Sequence, residues 1–148
     1  MIYFLIVAAL IFDFLNGFHD SSNIVATVIS SRAMKPRTAL YMTAAAHFIA
    51  PFLFGVAVAK TVGSELIDPS AITIDVVIAG VLAAILWNLI TWFFGIPSSS
   101  SHALLGGLLG AAILSAGFGV VNLRGLIKIL GALFFSPIIG FITAFVLM

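Results

Sequence analysis

The composition of this 148-residue chain suits a lipid environment and excludes a water-soluble domain. Hydrophobic residues make up 63% of the sequence, charged residues only 7%, and the formal net charge is +1. So little charge cannot cover a soluble surface of this size, and it gives no indication of a nucleic-acid partner. Because the chain has no cysteine, disulfides, iron–sulfur clusters and thiolate zinc sites are also excluded. We therefore expect an all-α integral membrane protein, in contact with the lipid bilayer, without a cofactor.

The first segment combines apolar residues with a polar string. Residues 1–15 are apolar but too few to cross a bilayer, and the polar string 16–23 separates them from the apolar residues 24–29. This pattern predicts a broken or polar-striped first helix. The polar positions are three or four residues apart and would share one helix face: Asp13, Asn16, Asp20, Asn23 and Thr27. A carboxylate at membrane depth costs several kcal/mol unless it meets protein, water or an ion, so this face should line an interior or a cavity.

Four further apolar stretches are each long enough to span a membrane. They cover residues 38–59, 76–96, 102–121 and 126–148. Together with the first segment they predict about five transmembrane segments in a single transmembrane domain, 1–148. An odd number of crossings would insert a following second copy upside down, which is the arrangement of inverted-repeat transporters. Because the sequence stops inside an apolar run, we interpret it as a fragment or as a half-transporter that pairs with another subunit.

The distribution of basic residues predicts the orientation in the cell membrane. The first loop, 31–37, contains three basic residues, whereas the next loop carries Lys60 against three acidic residues. The positive-inside rule then places the first loop in the cytoplasm and the N-terminus of a multi-pass protein outside. Arg124 and Lys128 fall on the outer side in this orientation, which counts mildly against it.

A second polar interruption, 95–102, lies between two apolar helices. Gly95 and Pro97 end the first helix, and the serines that follow can cap the next one. One interpretation is a short capped turn at the membrane surface. The other is a re-entrant, hairpin-like tip deep in the membrane, where free N–H groups and hydroxyls would face an anion. Gly106 and Gly110 form a GxxxG pattern, which indicates close helix packing.

Neither polar interruption contains arginine or lysine, so a bound oxyanion would need an accompanying cation. That cation would be a sodium ion near Asp20 and Asn23 or a proton on Asp20. His19 could relay protons or simply donate to a carbonyl, and Asn88 shares a helix face with Thr91 that could reach the cavity. The same polar residues could instead form an interhelical hydrogen-bond network. We assign cation or proton coupling to four of them: Asp20, His19, Asn16 and Asn88.

Both polar interruptions resemble signatures of the inorganic phosphate transporter (PiT) family. The string 16–23, followed by Ile-Val-Ala-Thr27, resembles the first signature in its Gly-Phe-His-Asp form. Residues 87–102 resemble the second signature, where the family has Pro-Val-Ser-Thr-Thr-His and this chain has Pro-Ser-Ser-Ser-Ser-His. They occur in the order and at the spacing of the family, and the resemblance covers the chain as its N-terminal half.

The resemblance implies an inverted repeat with two re-entrant hairpins that hold phosphate between two halves. Carried over by position, it assigns phosphate binding to Asp20 and Asn23 and to the hydroxyls of Ser100 and Ser101, with Ser99 beside them. It also implies that a second repeat or a second subunit completes the site. His19 stands where other members have asparagine, which leaves the coupling ion open.

We therefore expect a symporter of inorganic phosphate, driven by H⁺ or Na⁺, that alternates access to a site deep in the membrane. Sulfate or a metal–phosphate complex is an alternative substrate. Two other classes remain as alternatives: a non-transporting membrane subunit, and an intramembrane serine hydrolase built on Asp20, Ser101 and His102. Neighbouring residues at a helix start diverge, whereas a catalytic triad needs convergent side chains, so we do not expect an enzyme.

Overall fold

The computed structural model describes residues 1–54 and 65–147, and this part of the chain is helical with short connections. Its α-helices are α1 (Ile2–Ser30), α2 (Pro36–Phe54), α3 (Ile74–Phe93), α4 (Ser100–Ala116) and α5 (Leu123–Leu147). Two short 3₁₀ helices, Pro69–Ala71 and Phe118–Val120, precede α3 and follow α4. The all-helical prediction is confirmed for the described residues.

The predicted break in the first helix is wrong, because α1 continues through the polar string for 29 residues. The string contains no proline, and its serines bond back to the helix's own backbone without interrupting it. Ser21 and Ser22 donate their hydroxyls to the carbonyls of Phe18 and His19, at 3.4 Å and 2.8 Å, one turn earlier in the same helix. The polar-striped interpretation is therefore the correct one.

Three described helices are long and apolar enough to cross a membrane: α1, α3 and α5. Helix α4 is apolar but has 17 residues, about 26 Å of rise, which is short for a bilayer core of about 30 Å. It ends before Gly117, whose φ of +82° interrupts the helix, so the predicted span 102–121 is too long. The C-terminal part of the predicted span 38–59 lies outside the described residues.

Helices α3 and α4 form an antiparallel hairpin that is packed closely at two glycines. A Cβ added to Gly80 would lie 2.7 Å from Leu108 Cδ2 and 2.9 Å from Leu108 Cα, and one added to Gly107 would meet the Gly80 carbonyl. The GxxxG pattern indicated close packing on α4 but at the wrong positions, because Gly106 and Gly110 have open space around them. The backbones of α3 and α4 thus touch, which makes the hairpin compact.

Helix α1 packs along the same hairpin. Ala8 and Phe12 of α1 are buried against Val81 and Ala84 of α3. Helix α2 packs against α1. The start of α4 meets α1 near its middle and not at its end, since Ser100 contacts Asn16 and Asp20.

At the opposite end of the hairpin, the segment before α3 pairs with the segment before α5. The Asp68 amide donates to the Val120 carbonyl at 2.8 Å, and the Asn122 amide donates to the Leu66 carbonyl at 3.0 Å. Lys128 of α5 donates to Glu65 at 2.7 Å. These bonds bring the two loops together on one side of the helices.

Candidate functional site

The two polar interruptions meet at Ser100, the first residue of α4. Its hydroxyl lies 2.5 Å from Asp20 Oδ2 and is also hydrogen-bonded to the side chain of Asn16, and Ser100 is only 2% exposed. A hydroxyl has one hydrogen, so it cannot donate to both oxygens. All three groups are satisfied when Ser100 donates to Asp20 and the Asn16 amide presents its NH₂ group to Ser100 Oγ.

This contact lies at the middle of α1. Asn16 is at the midpoint of the 29-residue helix, about 20 Å from either end at the standard rise. The N-terminus of α4, which carries a partial positive charge, therefore faces the centre of a helix that is long enough to span a membrane.

The Asp20 carboxylate has a different partner on each oxygen. Oδ2 faces Ser100, while Oδ1 lies 3.2 Å from Nδ1 of His19, which is buried. A carboxylate oxygen can only accept, so Nδ1 is the donor in this contact when Asp20 is ionised. The three side chains form a continuous chain from His19 through Asp20 to Ser100.

The connection between α3 and α4 is built to turn sharply and to start a new helix. Gly95 adopts a φ of +65°, which favours glycine, and the Ile96 amide donates to the Thr91 carbonyl at 2.8 Å. Ser99 caps α4 by accepting the His102 amide at 3.4 Å. These features direct the first residues of α4 toward α1.

One contact across this turn was not predicted from the sequence. Trp87 donates its indole N–H to the hydroxyl of Ser98, at 3.1 Å, and so links the turn back to α3. The sequence does contain a hint of this contact, because the indole N–H of a tryptophan in an apolar helix needs a hydrogen-bond acceptor.

A cavity of about 350 Å³ lies between α1 and this turn. Helix α1 contributes His19, Ser22 and Asn23 to its walls, and the turn contributes residues 95–97. Its volume equals roughly ten water molecules, which is enough for a small hydrated anion. The cavity is therefore lined by both apolar and polar side chains, and it lies beside His19.

The structure brings some of the predicted site residues together and leaves others apart. Asn16, Asp20 and Ser100 are in direct contact, with His19 beside them. Asn23 is exposed and lines the cavity, while Ser99 and Ser101 are exposed at the start of α4.

Asn88 is buried in α3 and lines a separate cavity that also contacts His19. The side chain of Asn88 therefore does not contact Asn16, Asp20 or Ser100 by a hydrogen bond.

The geometry does not support a serine hydrolase. Asp20 accepts from Ser100 and not from the predicted nucleophile Ser101, and both Ser101 and His102 are exposed. Within residues 1–54 and 65–147, no three histidine, cysteine or acidic side chains cluster to hold a metal ion.

Comparison with known proteins identifies transporters that are similar to this chain in sequence and in fold. The model of the "Phosphate transporter family" matches residues 16–148. A probable low-affinity inorganic phosphate transporter of Rhizobium meliloti (strain 1021) is 50% identical over 97% of this chain and 43% of its own length. A protein of the same description from Bacillus subtilis (strain 168) is 49% identical, with the same coverage.

A solved structure described as the sodium-dependent phosphate transporter shares the fold, with a TM-score of 0.82 and 27% identity. The match covers 98% of this chain and 38% of that protein. The chain thus spans less than half the length of these two relatives and of this structure. The relatives and the fold are those of transporters and not of enzymes.

Proposed function

The chain belongs to the phosphate transporter family, and from that premise we propose that it forms the N-terminal half of a symporter of inorganic phosphate. The observation that carries this proposal is the contact of Ser100 with Asn16 and Asp20 at the middle of α1. Two polar segments that are distant in sequence meet there inside an otherwise apolar helix bundle. Substrate sites of secondary transporters are typically built at such a depth.

The turn between α3 and α4 is proposed to be the tip of a re-entrant hairpin. If α1 crosses the membrane, its midpoint lies near the centre of the bilayer, and the turn that contacts Asn16 lies at the same depth. Non-helical backbone is tolerated there only where it lines a cavity, and residues 95–97 do line one. The surface-turn interpretation would place Ser100 near an end of α1, about 20 Å away.

Phosphate would lie in this cavity, against the start of α4. Asn23 lines the cavity from α1. Ser99, Ser100 and Ser101 follow the lining residues 95–97 in the chain, and we propose that their hydroxyls turn to the anion when it binds. The proposed phosphate-binding set is therefore Asn23, Ser99, Ser100 and Ser101 together with Asp20.

The charge of Asp20 explains why a cation should travel with the anion. A phosphate beside an ionised carboxylate is repelled, and described residues near the cavity supply no lysine or arginine. A proton on Asp20, or a sodium ion held by Asp20 and the oxygens of Asn16 or Asn23, removes that repulsion. His19 and Asn88 complete the proposed coupling group.

The outer face of α1 supports a second repeat or subunit as the missing half of the site. Asp13, Asn23 and Thr27 lie on the same face as Asp20 and are exposed in this chain. Lipid cannot solvate that face, so protein or water must cover it. We propose an inverted repeat in the cell membrane, with the N-terminus outside.

Uptake of radiolabelled phosphate into proteoliposomes tests the function in the full-length protein. An imposed H⁺ or Na⁺ gradient should drive uptake, Asp20→Ala should abolish it, and the matched control Asp75→Ala, at the start of α3, should retain it. Uptake that is independent of both gradients, or unchanged in Asp20→Ala, contradicts the proposal. Competition by sulfate and by divalent metals distinguishes the alternative substrates.

A further inference from the structure

The loop between α1 and α2 carries three basic side chains without an acidic partner. Arg32, Lys35 and Arg37 are exposed, and none of them forms an ion pair with a described residue. All five acidic residues of the chain belong to its described part, and they lie elsewhere. Asp20, the nearest along α1, lies about 15 Å before the end of that helix at the standard rise. The charge of this loop is therefore not neutralised by acidic side chains of the chain itself.

Helix α1 ends in a hydrogen-bonded motif that holds Arg32 in a left-handed backbone conformation. The Ala33 amide donates to the Val28 carbonyl at 3.2 Å. The Arg32 amide donates to the Ile29 carbonyl at 3.0 Å, and the φ of Arg32 is +58°. This pair of bonds is the Schellman motif, whose left-handed position is usually glycine because a Cβ is unfavourable there. Backbone geometry alone therefore favours glycine over arginine at position 32.

The last carbonyls of α1 are already hydrogen-bonded without the arginine side chain. The Ser30 hydroxyl donates to the Thr27 carbonyl at 3.1 Å, and the Ser31 hydroxyl donates to the Val28 carbonyl at 3.2 Å. An arginine near a helix C-terminus often bonds to such carbonyls, but here serine hydroxyls and backbone amides do so. The negative end of the α1 dipole still attracts the guanidinium. Its hydrogen-bond donors are nevertheless available to a group outside the chain.

Lys35 and Arg37 lie where the chain's own electrostatics oppose a positive charge. They flank Pro36, the first residue of α2, and the first turn of α2 contains no acidic residue. A helix N-terminus carries a partial positive charge, so it repels both cations. An anion from outside the chain would remove this repulsion.

When α1 crosses the bilayer, this loop lies at the bilayer surface. The helix is long and apolar enough to span, and it ends at Ser30, just before the basic residues. A chain that leaves the hydrocarbon core there enters the headgroup region, which is negatively charged where the lipids are anionic. The charges of the loop and of such headgroups are therefore opposite in sign and meet at the same depth.

We propose that Arg32, Lys35 and Arg37 form a surface that binds the phosphate groups of anionic phospholipids at the end of α1. A guanidinium can donate to two phosphate oxygens at once, and lysine adds a compact positive charge. The surface is distinct from the candidate transport site, because Asp20 is about 15 Å away along α1. The inference requires that α1 crosses a membrane, but it does not depend on phosphate transport.

Solid-state NMR of the full-length protein, with ¹³C-labelled arginine, tests the contact directly. The protein is reconstituted in phosphatidylcholine with or without phosphatidylglycerol, and the Arg32 signal is assigned by its loss in Arg32→Gln. We expect ³¹P to dephase the guanidinium carbon of Arg32 when phosphatidylglycerol is present, and less in phosphatidylcholine alone. Exchange of chloride for inorganic phosphate at equal ionic strength should not change this. Dephasing that is absent, or that requires inorganic phosphate, overturns the proposal.

Binding of phosphatidylglycerol to the full-length protein in neutral detergent, followed by native mass spectrometry, gives the second readout. Arg32→Gln should weaken binding about fivefold, the factor expected for one basic residue at an anionic surface. Arg32→Lys, which keeps the charge, should weaken it less. The matched control Arg124→Gln removes the same charge at the start of α5, outside the basic loop, and should have a smaller effect than Arg32→Gln. Equal affinities of the wild type and Arg32→Gln, or equal losses in Arg32→Gln and Arg124→Gln, contradict the proposal, whether or not the protein transports phosphate.

Discussion

Replacing Gly80 by alanine tests the backbone contact that makes the α3–α4 hairpin compact. The new Cβ would lie 2.7 Å from Leu108 Cδ2 and 2.9 Å from Leu108 Cα. The methyl group of Leu108 can rotate away, but its Cα belongs to the α4 backbone, so the two helices must move apart. Overpacking of this kind costs about 1–3 kcal/mol.

Gly106→Ala is the matched control, because nothing lies within 4 Å of the Cβ that it would add. Alanine is favoured over glycine in a helix by about 1 kcal/mol, and this gain is common to both variants. The difference between their free energies of unfolding therefore isolates the clash. We expect Gly80→Ala to be less stable than Gly106→Ala by about 1–3 kcal/mol.

Unfolding of the full-length protein in mixed micelles with increasing SDS, followed by circular dichroism, measures this difference. Phosphate uptake by the same samples shows whether separation of α3 and α4 also displaces Ser100. Equal stability of the two variants would refute the close approach of α3 and α4 at Gly80.

Two further predictions concern the loops at the other end of the hairpin. The side-chain hydroxyl of Ser70, and then its backbone amide, donate to Asp68 and lower the pKa of that carboxyl below its ordinary 3.8. Because the pKa of Asp68 is lower in the folded protein than in the unfolded chain, its ionised carboxylate stabilises the fold at a pH above the pKa of the unfolded chain. This stabilisation is lost as the pH falls through the pKa of the folded protein. Ser70→Ala should therefore raise the pKa of Asp68, as ¹³C NMR titration of the carboxyl would detect. Lys128→Met should change the free energy of unfolding by at most about 1 kcal/mol, because Lys128 and Glu65 are 62% and 42% exposed and water screens the pair; a larger loss by chemical denaturation would contradict this.

The sequence drew attention to the candidate site residues because polar groups are conspicuous in an apolar membrane segment. Asp20 and the serine run stood out in apolar surroundings, and the structure brings Asp20 and Ser100 into contact. The break in α1 could not be judged in the same way. Whether Ser21 and Ser22 interrupt a helix or bond back to it depends on local geometry, which composition does not reveal.

Packing details were beyond sequence reasoning for a related reason. A GxxxG pattern identifies small residues on one helix face, but the rotation of α4 against α3 decides which glycines meet. That rotation selects Gly107 and Gly80 and leaves Gly106 open. Likewise, the spacing placed Asn88 and Thr91 on one face without indicating that the Asn88 amide is buried beside His19.

The contact between Asp20 and Ser100 also constrains the order of events in the proposed transport cycle. In this structure the Ser100 hydroxyl is committed to an acidic acceptor, so a phosphate oxygen would compete with the Asp20 carboxylate for the same hydrogen. A proton or sodium ion on Asp20 weakens that acceptor and at the same time reduces its repulsion of the anion. Both effects favour the binding of phosphate. Under the proposed function the cation should therefore bind before phosphate. Binding of the cation to Asp20 would free the Ser100 hydroxyl, at the start of α4, to bond to phosphate.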